Sequence, residues 1–383
     1  GSINGVGTLS VNTGFDWSSG SMGGGGVTRL NGNSRFLTTS AKTLTRTLEI
    51  AGTARTTSAT SALQIQDGGR LSVLASGEFE IAGGTGFTFS GSGRIDNAGL
   101  LRKTGTAAVT LAMPLTNSGT LRVEEGVLTA SAFPVNAGTL DVFNGATLIA
   151  GALQNDGVVQ GSGTINLGGA TLTNAGTLRP GGNGAAGTLT LTGHYAQTAS
   201  GVIEADVLGT LAAEQDHLVV SGNAALDGDL RLAPANGLSF GAQDRYTVLS
   251  CGADGCLSGT FDTVDSGTLG LTATSFSNAI SFATGSIAST WIAQSSGFWD
   301  VASNWAGGFI PGAQNDVVID QAGDLTITVR STGGAITINS LFSNENISVI
   351  SGTLTLLDDS TINGTLSVSG GTLNVGTQLD LNR

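Results

Sequence analysis

The sequence predicts an all-β fold, a right-handed parallel β-helix with coils of about 19–20 residues. Three observations predict it. An Asn-x-Gly triplet recurs at near-constant spacing, at Asn97, Asn117, Asn136, Asn155 and Asn174. The second residue after each of its glycines is apolar (Leu101, Leu121, Leu140, Val159, Leu178), and the next is polar (Arg102, Arg122, Asp141, Gln160, Arg179). That is the alternation of a strand with one buried face. The third is composition: 61 glycines and 11% charged residues, against about 25% charged in an ordinary domain. Abundant Thr, Ser, Val and Asn disfavour helices.

So short a repeat cannot hold a helix–turn–helix unit but suffices for three short strands and three turns. Parallel crossovers set the expected right hand. In the Asn column, side-chain amides of successive coils are expected to hydrogen-bond as a structural ladder, with Asn tolerating left-handed turn geometry. The glycine two residues later is expected to let the chain turn sharply. The same idiom appears at Gly7-Thr8-Leu9, Gly187-Thr188-Leu189, Gly352-Thr353-Leu354 and Gly371-Thr372-Leu373. It divides the chain into β-helix repeats over residues 1–193, a β-rich junction over 194–290, and a capping element with a second β-helix start over 291–383.

The junction carries longer alternating strands, such as Val202-Ile203-Glu204-Ala205-Asp206-Val207, and the only cysteines, Cys251 and Cys256. Only Gly-Ala-Asp-Gly separates them, so a disulfide across a turn is expected, in an oxidising compartment. Free thiols are the alternative. A zinc site is disfavoured because the two histidines, His194 and His217, lie far away in sequence. In the last segment, Trp299 and Trp305 are read as an apolar lid on the open end of the coil stack, or alternatively as a platform for glycan stacking.

A net charge of −13, from 28 acids and 15 bases, comes with no basic cluster. It disfavours nucleic acid and anionic membrane surfaces. No run of about 20 apolar residues is present, so no helical membrane insertion is expected. An enzyme needs clustered carboxylates with a neighbouring cation. Glu124-Glu125, Asp227/Asp229 and Asp358-Asp359 are isolated pairs, read as surface or turn. Asp216-His217 is the one acid–histidine neighbour pair, and no Gly-x-Ser-x-Gly elbow accompanies it. The Gly182–Gly187 stretch has dinucleotide spacing, but strand-like Thr188-Leu189-Thr190-Leu191 follows it in place of a helix.

Two regions resemble a known class. Gln197-Thr198-Ala199-Ser200-Gly201, then Asp216-His217-Leu218-Val219-Val220-Ser221-Gly222 and Leu226-Asp227-Gly228-Asp229-Leu230, form a segment similar to one in autotransporter passenger domains. Gly297-Phe298-Trp299, Asn304-Trp305, Pro311-Gly312 and Asp316-Val317-Val318-Ile319 resemble the element that opens each β-helix stretch in haemagglutinin-like bacterial surface proteins. Phe15-Asp16-Trp17 is similar to repeats of the same adhesin class. The resemblance implies export and display outside a bacterial cell. The function expected is a non-enzymatic structural or adhesive stalk, a fragment of something longer. Its expected partners are a host or matrix glycan or protein, or copies of itself in an end-to-end filament, and no cofactor is expected. The competing expectation is a carbohydrate-active β-helix enzyme, a polysaccharide lyase or hydrolase.

Overall fold

A computed structural model describes residues 1–37, 40–57, 62–82, 88–240, 245–253, 255–283, 288–313, 315–330, 332 and 334–382. These residues form a parallel β-solenoid of short strands and turns, with brief 3₁₀ segments and no α-helix among them. The chain divides into two compact units. One comprises Gly1–Asp206, Asp227–Arg231 and Phe261–Thr263; the other comprises Val207–Leu226, Leu232–Thr260 and Val264–Arg383.

In the first unit a typical coil contributes three strands, two of which run together in Thr164–Asn174 and in Thr188–Gln197, and strands pair in parallel with their counterparts one coil on. Thr120–Val123 pairs with Thr139–Val142, which pairs with Val158–Gly161, then with Thr177–Pro180. The register places Leu101, Leu121, Leu140, Val159 and Leu178 in one column, and all five are fully buried. Each such side chain stabilises by about 1.5–3 kcal/mol relative to exposure. At the start of the unit the interior is aromatic: Trp17 meets Phe36 edge-on and Phe36 meets Phe79 at a tilt, with ring centroids 5.6 and 5.4 Å apart.

The Asn-x-Gly turns differ from expectation in their backbone. Asn97, Asn117, Asn136, Asn155 and Asn174 are the last residues of strands. None has a positive φ, and neither do the glycines that follow at 99, 119, 138, 157 and 176. Proximity explains the glycines instead. A β-carbon on Gly138 would run into the Gly119 carbonyl oxygen, and one on Gly157 into that of Gly138. Those same carbonyls accept the N–H of Thr139 (2.7 Å) and Val158 (2.8 Å) on the next coil. The coils close on each other here with no room for a side chain.

In the second unit the parallel winding is interrupted. Ala279–Ala283 pairs antiparallel with both Arg245–Cys251 and Thr272–Ser275. A three-sheet solenoid then begins at Ser289–Thr290 and Gly297–Phe298. Its third sheet starts later, at Ala335–Ile338. Trp291, Trp299 and Trp305 occupy this start and are fully buried, with Val317, Ile327 and Ile347 in the same core.

Cys251 and Cys256 form a disulfide, with Cα atoms 6.0 Å apart; Asp254 between them lies outside the described residues. So short a loop constrains the unfolded chain by about 2 kcal/mol. Reduction should lower hydrogen-exchange protection in Arg245–Cys251 and Leu257–Gly259 by about that amount, with the strands of the first unit unchanged.

Candidate functional site

Two columns of polar side chains join successive coils of the first unit. The inner one is the Asn column. Asn97 Nδ2 donates to Asn117 Oδ1 at 2.7 Å, Asn117 to Asn136 at 2.8 Å, Asn136 to Asn155 at 2.9 Å and Asn155 to Asn174 at 2.8 Å. All five side chains are buried. The second amide hydrogen clips the carbonyl of the residue that opens a strand on the next coil, as from Asn136 to Val158 O at 2.9 Å. Two residues beyond the repeat finish the chain of bonds: Asn174 reaches Tyr195 Oη at 3.3 Å, and Tyr195 donates to Gln197 Oε1 at 2.6 Å. Gln197 Nε2 then donates to the carbonyls of Gly201, Asp227 and Asp229. At the other end the register puts Val73 beside Asn97, and Asn97 Oδ1 has no partner. Every link runs the same way, donor to acceptor up the stack.

The outer column crosses the second strand of each coil. In register it reads Asp16, Arg35, Arg55, Glu80, Arg102, Arg122, Asp141, Gln160 and Arg179. Acids and bases on neighbouring coils neutralise one another along most of it. Arg35 grips Asp16 with two bonds of 2.9 and 2.6 Å, and that hydrogen bonding holds the Asp16 carboxyl below its ordinary pKa. Arg102 is met by Glu78 (2.7 Å), Glu80 (3.2 Å) and Glu124 (3.6 Å). Burial opposes the charge on Arg102, but the Glu80, Glu78 and Glu124 carboxylates together raise its pKa. Burial pushes the Asp141 carboxyl up, against the Gln160 hydrogen bond and the Arg122 charge 3.4 Å away. Asn33, Arg35, Thr53, Arg55, Glu78, Glu80 and Arg102 line a concavity of about 350 Å³ on this face. This grouping of acids and arginines is the candidate site.

The remaining sequence candidates lie elsewhere. Trp305 meets Trp291 and Trp299 with ring centroids 5.0 and 4.8 Å apart. Trp299 and Trp305 are 0% exposed, so neither offers a face to a sugar. The stacking alternative is corrected to a core role at the start of the solenoid. Glu125 caps the buried Lys103 ammonium through its backbone carbonyl at 2.8 Å. Asp227 and Asp358 each accept the N–H of the following residue, and Asp229 accepts Thr263 Oγ1 at 2.5 Å and Arg231 at 2.6 Å. Among the described residues, no three His, Cys, Asp or Glu side chains group as metal ligands.

Set against protein-family models, curated proteins and solved structures, the chain matches none.

His217 has a partner that the sequence did not suggest. Its Nε2 lies 2.8 Å from Ser250 Oγ, on an adjacent parallel strand. A serine–histidine contact is the first part of a nucleophilic site, which also needs an orienting group and donors for an oxyanion. Burial lowers the His217 pKa below its ordinary 6.5. The unfolded chain therefore takes up a proton there before the folded chain does. The stability involved is complete above about pH 6.5 and is lost as pH falls through the window below it. Between about pH 7.5 and about pH 5, wild type should lose stability more steeply than His217→Gln. Equal slopes would count against a buried neutral imidazole.

Proposed function

We propose that the chain is a structural and adhesive stalk or fibre segment of a large exported bacterial cell-surface protein, without enzymatic activity. One observation carries this reading: the buried polar groups of the first unit run from coil to coil. The Asn97–Gln197 bonds and the closely packed glycine turns spend their chemistry on holding one coil to the next. A stack joined in this way resists shear between coils, which is the demand on an element that projects a binding surface. The disulfide fits an oxidising setting outside the cytoplasm. The similarity of the Gln197–Leu230 and Gly297–Ile319 segments to exported surface proteins supports the same setting. The partners on this reading are host or matrix glycans or proteins, or further copies of the chain. A binding screen against glycans and matrix proteins, joined to single-molecule stretching, tests it. Retention of a ligand and stepwise high-force rupture are expected; low-force extension without steps, together with no ligand, overturns it.

The concavity favours one alternative, a carbohydrate-active enzyme, because Glu78 and Glu80 stand beside three arginines there. Release of reducing or unsaturated ends from a polysaccharide panel, abolished by Glu80→Gln, would establish that reading over the stalk.

A further inference from the structure

The outer column leaves one charge uncompensated, and it faces the concavity. Among the described residues, Arg55 is the one cationic side chain with neither an acidic nor a carbonyl partner. Arg35 beneath it is occupied by Asp16, and Glu80 above it is engaged by Arg102 and by Thr104 Oγ1. Arg46 and Lys103, which are buried, are satisfied by backbone carbonyls. Arg55 is exposed and lines a hollow in the size range of small-ligand sites. Beside it Thr53 donates to Asn33 Oδ1 at 2.6 Å, which orients the Asn33 amide and leaves its N–H groups to a ligand.

We propose that this hollow binds a saccharide through a single carboxylate, with Arg55 as its anchor. The guanidinium fork matches a planar carboxylate with two parallel hydrogen bonds. The neighbouring groups suit sugar hydroxyls: Asn33 donates, and Glu78 and Glu80 accept. The same two acids, on a chain of net charge −13, repel a densely sulfated polymer. The ligand class is therefore an acidic sugar flanked by neutral sugars. A peptide side chain fits less well, because Asn33, Thr53, Arg55, Glu78 and Glu80 offer several donors and acceptors at once, which the hydroxyls of a sugar can use together. The proposal rests on the adhesive reading and names its ligand.

The test is calorimetric titration of the whole chain with uronate- and sialate-containing oligosaccharides, their carboxyl-reduced counterparts and a heparin-like sulfated chain. Arg55→Gln serves as the site variant and Arg231→Gln as an exposed control. The expected result is binding of a carboxylated oligosaccharide, weakened about tenfold or more both by carboxyl reduction and by Arg55→Gln, and unchanged by Arg231→Gln. Equal binding by Arg55→Gln, preference for the sulfated chain, or no binding across the panel overturns the site. The adhesive reading is judged separately: a matrix protein or neutral glycan held equally by wild type and Arg55→Gln would sustain it while this site fails.

Discussion

Gly138→Val is expected to destabilise the middle coils of the first unit by about 3 kcal/mol or more, through overpacking against backbone that cannot yield. The β-carbon alone would enter the space of the Gly119 carbonyl oxygen, and that oxygen accepts the Thr139 amide at 2.7 Å. Relief requires the coils to part, which breaks the bond and loosens the Leu121–Leu140 packing beside it. In a stacked repeat the damage stays near its origin. Hydrogen exchange of the Thr139 and Val158 amides is therefore the measurement of choice, and a global melt would understate the loss. Gly25→Ala is the control. Nothing lies within 4 Å of a β-carbon there and its φ is not positive, so a change within about 0.5 kcal/mol is expected.

Asn136→Ala is expected to cost about 3 kcal/mol, through buried groups left without partners. Asn136 donates to Asn155 Oδ1, Gly138 O and Val158 O, and accepts from Asn117. Truncation interrupts the ladder in its middle, where every neighbour is shielded from water. Asn97→Leu tests the same account from the end. Asn97 Oδ1 is already an orphan beside Val73, so removing it deletes one unpaired acceptor. Its cost should be smaller by at least about 1 kcal/mol. Equal costs would mean that the ladder contributes through packing, with its bond direction irrelevant.

How much of this was legible follows from how each feature is spaced. Leu101 to Leu178 could be read at once, because strand register repeats with the coil and so stands out in a linear count. The Asn column was legible for the same reason, but its backbone was not. Asn and Gly suggest left-handed turns, whereas none of these residues has a positive φ and the glycines answer to a carbonyl one coil away. Arg55 was hidden for a different reason. It pairs in register with Glu80 and Glu80 with Arg102, yet the first step along the chain is longer than the second, and both exceed the steps of the Asn column. Turns of variable length absorb the extra residues without disturbing the strands, and that erases the period on which sequence reading depends. The contact of His217 with Ser250 spans 33 positions, with no motif to announce it. Trp299 and Trp305 showed the limit of residue type: an aromatic suited to a lid is equally suited to a sugar until its burial is known.

The one-way run of amide bonds along the inner column has an evolutionary corollary. Each link presents the same acceptor below and the same donor above, and two of the three intervals from Asn117 to Asn174 are interchangeable with the third. Excision of residues 118–136 would bring Asn117 next to Ala137, leaving Asn97, Asn117, Asn155 and Asn174 to close the gap with no change of partner type. Duplication of the same stretch would insert a coil just as silently. Such a protein can change its length in whole units by recombination between near-identical segments. Selection can then adjust reach separately from the chemistry of any site that the stack carries.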